Sequence, residues 1–193
     1  AGTYLSGTIH LKDRIHLLID AGAVILGAPQ AMYAYDSAKP FDGVIYQDGG
    51  HSYFPNSLIF GENLDGVSIT GQGMINGGGL VSDSGPLDRL KGKDERTKPI
   101  TTQEDRDALR LGNKAICLLN CKNISLRDFT VFHGGHFALL ATGCDNLTVD
   151  GLTIDTNRDG MDFDCCRNTI VTNCRVNSPL DDGICPKSSY ALG

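Results

Sequence analysis

Two acidic stretches carry the residues that could do chemistry together. The first is Asn157-Arg158-Asp159-Gly160 and the second is Pro179-Leu180-Asp181-Asp182-Gly183. Asp159 follows Asn146 by 13 residues (159 − 146), and Asp181 follows Asn168 by the same 13 (181 − 168). Both read as turns at one phase of a repeating unit. If that unit is one coil of a solenoid, the carboxylates stack on adjacent coils about 4.8 Å apart. Three carboxylates in one patch cannot all ionise freely, so at least one pKa is expected to rise. That arrangement suits acid/base work on a glycosidic bond. A single Asp-Gly is more often a hydrogen-bonded turn and nothing more. The shared phase argues for chemistry, and so does the Asp181-Asp182 pair, an electrostatically costly way to build a turn. Asp162 and Asp164 add further charge, one expected to face solvent and the other to hydrogen-bond a neighbouring coil.

A repeat must position these acids. CKNISLRDFTV, CDNLTVDGLTI and CRNTIVTNCRV align without gaps from Cys121, Cys144 and Cys166, at spacings of 23 (144 − 121) and 22 (166 − 144). A weaker copy, DGVSITGQGMI, begins at Asp65 with one extra residue. Periods of this size mark solenoids. Each copy holds two short strands around a turn, which predicts an all-β parallel β-helix. The Leu-x-x-Leu-x-Leu frame of a leucine-rich repeat is missing. Asn123, Asn146 and Asn168 are expected to form an inward ladder whose amides satisfy turn backbone groups. That would bury the glycosylation sequons at Asn123 and Asn146. Cys121, Cys144 and Cys166 read as a stack of small apolar side chains. No C-x-x-C pair exists, so packing is favoured over a zinc site.

The rest of the chain agrees with one domain over residues 1–193. Ile9, Leu11, Ile15, Leu17 and Ile19 alternate as in half-buried strands, and Leu58-Ile59-Phe60, Val67-Ser68-Ile69 and Met74-Ile75 are further short strands. Residues 29–57, with Tyr33, Tyr35, Phe41, Tyr46, Tyr53 and Phe54, suggest irregular loops. A charged insertion is expected at about 80–111, with a capping box at Thr102 and Asp105 and a helix end at Gly112. The net charge of −6 argues against nucleic acid as partner, and no apolar run reaches the roughly 18 residues of a membrane span. Seven cysteines cannot pair completely, and the N-terminus lacks the features of a signal peptide.

Asn157 to Asp162, N-x-D-G-x-D, resembles the first motif of family 28 of the glycoside hydrolases, the polygalacturonase and rhamnogalacturonase group, with Arg158 where Thr is usual. Asp181-Asp182-Gly183-Ile184 resembles its second motif, Asp-Asp-Cys-Ile, and Lys187-Ser188-Ser189 continues it as in many bacterial members. Ser6 to Ala28 is similar to the family's N-terminal coils. The resemblance implies a right-handed parallel β-helix, secreted or periplasmic, that hydrolyses α-galacturonide links in pectin with inversion. It implies a pectic polysaccharide as partner, and neither a metal nor a cofactor. By motif, Asp181 would be the general acid, while Asp159 and Asp182 would hold and activate water. Inversion asks for acid and base roughly 6.5–9.5 Å apart.

Asn157, Arg158, His136 and Lys187 are the substrate-binding candidates. His136 follows Asn123 by 13 residues (136 − 123), the phase of Asp159, though a lone His is more often structural. Lys187 could grip a substrate carboxylate or pair with a nearby Asp. The family's later motifs, Gly-His-Gly and Arg-x-Lys, would lie beyond Gly193. The resemblance therefore implies an N-terminal part, truncated at the C-terminus, whose uncapped last coil invites self-association. Two other readings stay open. A polysaccharide lyase on the same fold would need calcium and a proton-abstracting base. A non-catalytic β-helix would only bind carbohydrate.

Overall fold

The computed structural model describes residues 1–37, 54–82 and 113–189. The greater part of the expected insertion, with Thr102, Asp105 and Gly112, lies outside the described residues, as do Phe41, Tyr46 and Tyr53.

The strands, in chain order, are β1 (Gly2–Ser6), β2 (Ile9–His10), β3 (His16–Leu18), β4 (Ala23–Gly27), β5 (Ser57–Glu62), β6 (Asp65–Thr70), β7 (Met74–Asn76), β8 (Lys114–Leu119), β9 (Lys122–Arg127), β10 (Thr130–Phe132), β11 (Phe137–Thr142), β12 (Asp145–Asp150), β13 (Thr153–Asp155), β14 (Asp159–Asp164), β15 (Arg167–Thr172), β16 (Arg175–Asn177) and β17 (Ile184–Lys187). Every third strand joins the same sheet. The orders are β1-β4-β7-β10-β13-β16, β17-β14-β11-β8-β5-β2 and β15-β12-β9-β6-β3. All the strand pairings are parallel, so three sheets wind as a right-handed parallel β-helix. Among the described residues there is no α-helix, only a short 3-10 turn at Gln30–Met32.

Inward side chains stack on themselves from coil to coil. Ile59, Ile116, Leu139 and Met161 form one column, and Val67, Ile124 and Leu147 another. Ile75, Val131 and Ile154 form a third, against the partly buried Val176. Cys121 and Cys144 are buried in the same core with Cys166 packed against them, as the repeat predicts, and all seven cysteines are free.

The corners explain the asparagines differently from the sequence reading. Each coil bends at left-handed residues: Asn63, Gly66 and Gly71; then Asn120, Asn123 and Asp128; then Gly143, Asn146 and Gly151; then Cys165, Asn168 and Asn173. Glycine meets no Cβ penalty there, and Asn or Asp tolerates the conformation through local hydrogen bonds. Asn123, Asn146 and Asn168 are therefore exposed rather than inward. Their amides bond side chains of the preceding coils: Asn123 Nδ2 donates to Asp65 Oδ1 (2.7 Å), Asn146 Nδ2 to Asn123 Oδ1 (2.7 Å) and Asn168 Nδ2 to Asp145 Oδ1 (2.8 Å). Burial accordingly does not close the two sequons. Cys165 takes the corner in its coil, which frees the adjacent Cys166 to point inward.

Asn146→Ala should lose both the ladder bond and the tolerance for φ 57°, destabilising the chain by about 1–2 kcal/mol in urea unfolding. Asn146→Gly keeps the corner and should lose less. Equal losses from the two substitutions would show that the corner conformation is not what selects Asn.

Candidate active site

Asp159 opens β14 and is not part of a turn, contrary to the sequence reading. Its companion Gly160 is required by close approach. A Cβ there would meet the Gly183 carbonyl oxygen at 2.4 Å and Val176 Cγ1 at 2.5 Å. That contact lets the next coil close down. Gly160 N–H donates to the Asp182 carbonyl (2.9 Å) and Met161 N–H to that of Gly183 (3.0 Å). Met161 pairs with Ile184, so stepping back two residues sets Asp182 beside Asp159 and Asp181 beside Arg158. The phase argument therefore holds with a one-residue adjustment.

One oxygen from each of Asp159, Asp181 and Asp182 lies within 4.8 Å of the others. Asp159 and Asp182 come this close because acids on paired coils inherit the strand spacing of about 4.8 Å. Asp159 is 4% exposed, and its pKa rises from 3.8 to about 7. Burial is the main cause, followed by the charges of Asp162 and Asp181, with Lys187 and Arg158 opposing. A carboxyl is raised, as expected, but by burial first and by crowding second, and Asp159 is the one raised.

Two cations compensate the cluster. Arg158 Nε sits 2.9 Å from Asp181 Oδ2 and its Nη2 3.9 Å from Asp159 Oδ2. The Nε contact is a close charge pair without hydrogen-bond alignment. On the other side, Lys187 Nζ reaches Asp162 Oδ2 at 2.9 Å. Burial lowers the Lys187 pKa, but its bond and charge contact with Asp162 outweigh that and raise it. Asp162 and Asp164 are both fully buried, so neither faces solvent as anticipated. Asp164 Oδ1 accepts from Ser189 N–H (2.7 Å) on the next coil. The three acids Asp159, Asp181 and Asp182 are also the described residues that could hold a metal ion. Arg158 already supplies positive charge to them.

The substrate-binding candidates divide. Asn157 is exposed and Arg158 is half-buried against the acids. Lys187 is engaged with Asp162, the pairing alternative. His136 is 0% exposed, its Nδ1 bonded with the Ser82 carbonyl (2.8 Å) and its ring edge-on to Phe137, so it supports the wall rather than facing a substrate. The strand register explains the error: Phe137, not His136, lies opposite Asp159. The role of Asp162 was underrated in the sequence. Its signal was its place on a strand whose outward row includes Asp164 and whose inward row is Met161 and Phe163.

The fold and the site together define a right-handed parallel β-helix with three convergent carboxylates at one strand edge. The family description "Glycosyl hydrolases family 28" matches residues 33–190, and the chain belongs to that family. It is 31% identical to a polygalacturonase of Ralstonia solanacearum over 159 residues, covering 79% of this chain and 28% of that protein. It is 27% identical to a Vitis vinifera protein named "Probable polygalacturonase" over 197 residues, covering 98% of this chain and 36% of that one. The crystal structure of a hyperthermoactive exopolygalacturonase from Thermotoga maritima superposes with a TM-score of 0.70 at 20% identity, over 97% of this chain and 46% of that one. The chain thus spans about a third of the length of the curated relatives it matches.

Lys187→Met should take from the buried Asp162 the cation 2.9 Å away, costing about 3–5 kcal/mol in chemical unfolding. Adding Asp162→Leu should recover most of it, and a double variant as unstable as the single would show that the pair does not interact. Asp159 sets a second expectation. The folded chain keeps its proton up to about pH 7, while the unfolded chain releases it near 3.8. Between these values the native state binds more protons, so this group's contribution makes stability fall as pH rises. Asp159→Asn should therefore gain on the parent between pH 4 and pH 8, and parallel stability curves would refute the shift.

Proposed function

We propose that the chain carries the acid/base centre of a pectic polysaccharide hydrolase of the polygalacturonase type, acting on α-galacturonide links outside the cell membrane or in a periplasm. The observation that carries this is the convergence of Asp159, Asp181 and Asp182 within 4.8 Å. Two hydrogen bonds of about 2.8 Å from one water, at a near-tetrahedral angle, span about 4.6 Å between their acceptors. The spacing therefore fits a single water shared by Asp159 and Asp182, placed to attack the anomeric carbon. Asp181, exposed where Asp159 is buried and with a side chain 33% accessible, donates to the leaving oxygen. Arg158 and Asn157 lie beside the acids, where they can orient a sugar ring and its carboxylate.

Asp159 favours a second assignment within the same reaction. A carboxyl raised to about 7 holds its proton under mildly acidic conditions, as a general acid must. In that case Asp159 protonates the leaving group, and Asp181 with Asp182 activates the water. A calcium-dependent lyase would need a base such as Lys or Arg free to abstract a proton, and the two cations nearest the acids are both paired with them.

Asp181→Asn should lower the release of reducing ends from polygalacturonate by about 10²–10⁴-fold while binding survives. An aryl galacturonide whose leaving group needs no proton separates the roles. The variant that keeps its turnover on that substrate has lost the acid, be it Asp181→Asn or Asp159→Asn. Full activity of Asp181→Asn on polymer, or unsaturated products abolished by a chelator, would overturn the hydrolase assignment.

A further inference from the structure

Three thiols stand in one line inside the solenoid. Cys121 and Cys144 are buried, and the half-buried Cys166 packs against the same core. Each stands one residue before a paired position, since Asp145 lies opposite Lys122 on one coil and Arg167 on the next. The main chain fixes this register, with Asp145 N–H donating to the Cys121 carbonyl (3.0 Å) and Arg167 N–H to that of Cys144 (2.8 Å). Packing alone does not ask for sulfur here. On the coil before, Leu64 fills the equivalent place, because Asp65 pairs with Lys122.

The spacing has a chemical consequence. Neighbours in the column are one strand spacing apart, about 4.8 Å. Disulfides join Cα atoms roughly 4.4–6.8 Å apart, so each neighbouring pair lies within range. The side chains lean the same way. Cys144 Sγ points to the Leu118 carbonyl (3.6 Å) and Cys166 Sγ to the Ala141 carbonyl (3.3 Å), each on the coil before. The Cys144 thiol is shared by both neighbours: its hydrogen bonds lower the pKa of Cys121 and of Cys166, and those same bonds, with burial, raise its own. Burial instead pushes Cys117 up to about 12 and Cys185 up to about 11. The thiolate is the attacking species in disulfide exchange, so the half-buried Cys166 is the thiol that a reagent meets first.

We propose that this column is a thiol–disulfide exchange site that takes a small disulfide, such as oxidised glutathione, and closes a bond between Cys144 and Cys166. The Cys166 sulfur attacks one sulfur of the reagent, forms a mixed disulfide and releases one reagent thiolate. Cys144 then gives up its proton and attacks the Cys166 sulfur, and the mixed bond breaks to release the second reagent thiolate. The two cysteines lose two electrons and two protons, and the reagent is reduced to two thiols. The new bond closes a ring of 22 residues (166 − 144) that holds β12, β13 and β14, and so staples the coil carrying Asp159 and Asp162. Restricting the unfolded chain in this way favours the folded one.

The test is to incubate the reduced chain with oxidised glutathione, alkylate the remaining thiols in denaturant and map the peptides by mass spectrometry. One disulfide joining Cys144 to Cys166 is expected, with five of the seven cysteines alkylated (7 − 2). The oxidised chain should unfold at a higher urea concentration than the reduced one, and dithiothreitol should reverse the shift. Cys166→Ala should move the bond to Cys121 and Cys144, the other neighbouring pair. Cys144→Ala should leave Cys166 as a stable mixed disulfide, seen as the added mass of one glutathione. A core variant can fail to fold, so the bond map of the parent chain decides by itself. Seven alkylated cysteines after oxidation, or a disulfide that joins Cys165, Cys174 or Cys185 instead, would overturn the proposal. So would an oxidised chain that unfolds at the same urea concentration as the reduced one or at a lower one.

Discussion

Backbone hydrogen bonds between successive coils hold the site in place. Gly160 and Met161 donate to the carbonyls of Asp182 and Gly183, and those two bonds bring residues far apart in the chain to one strand spacing. No side chain could be exchanged for them. Gly160 must lack a Cβ for the bonds to form, because the Gly183 oxygen and Val176 would otherwise collide with it. The acid cluster is thus a consequence of main-chain register, and its dimensions are those of a parallel sheet.

The register also imposes an electrostatic cost. Asp159, Asp162 and Asp164 all lie on the outward row of β14 and all are buried. On the preceding strands that row is mixed: Phe137 and Leu140 on β11 and Cys117 and Leu119 on β8 are apolar, but Thr142 pairs with Asp164 and Lys114 with Phe137. Three acids on one strand depart from the coils before it. Lys187 offsets the charge of Asp162 from the next coil and Ser189 caps Asp164, which leaves Asp159 as the acid raised by burial and by its neighbours. Asp159, whose proton affinity is raised, also stands beside Asp181 and Asp182, a combination expected where acid/base chemistry is performed.

Conformation at the corners makes this stacking repeatable. Left-handed residues turn each coil, and their side chains hydrogen-bond outward to the coils before them. Asn suits these positions because it accepts the backbone geometry and offers a donor for the ladder. Where a coil uses Cys165 instead, the neighbouring Cys166 still joins the core, so the inward columns continue unbroken.

The repeat of Cys121, Cys144 and Cys166 with its flanking apolar pairs determined the solenoid, the short strands and the shared phase of the acidic stretches. Periodicity in a chain of stacked coils is a local property, and it is written in the order of residues. Which way a side chain points is settled by strand bulges and corner angles that no period records. The sequence therefore placed Asn123, Asn146 and Asn168 inward and His136 opposite Asp159, whereas the fold turns the asparagines out and sets Phe137 in that position. Which acids pair with Arg158 and Lys187, and which of the crowded carboxyls holds its proton, were decided by tertiary structure. They depend on distances between coils and on the loss of water, and both arise only once the coils have closed on one another.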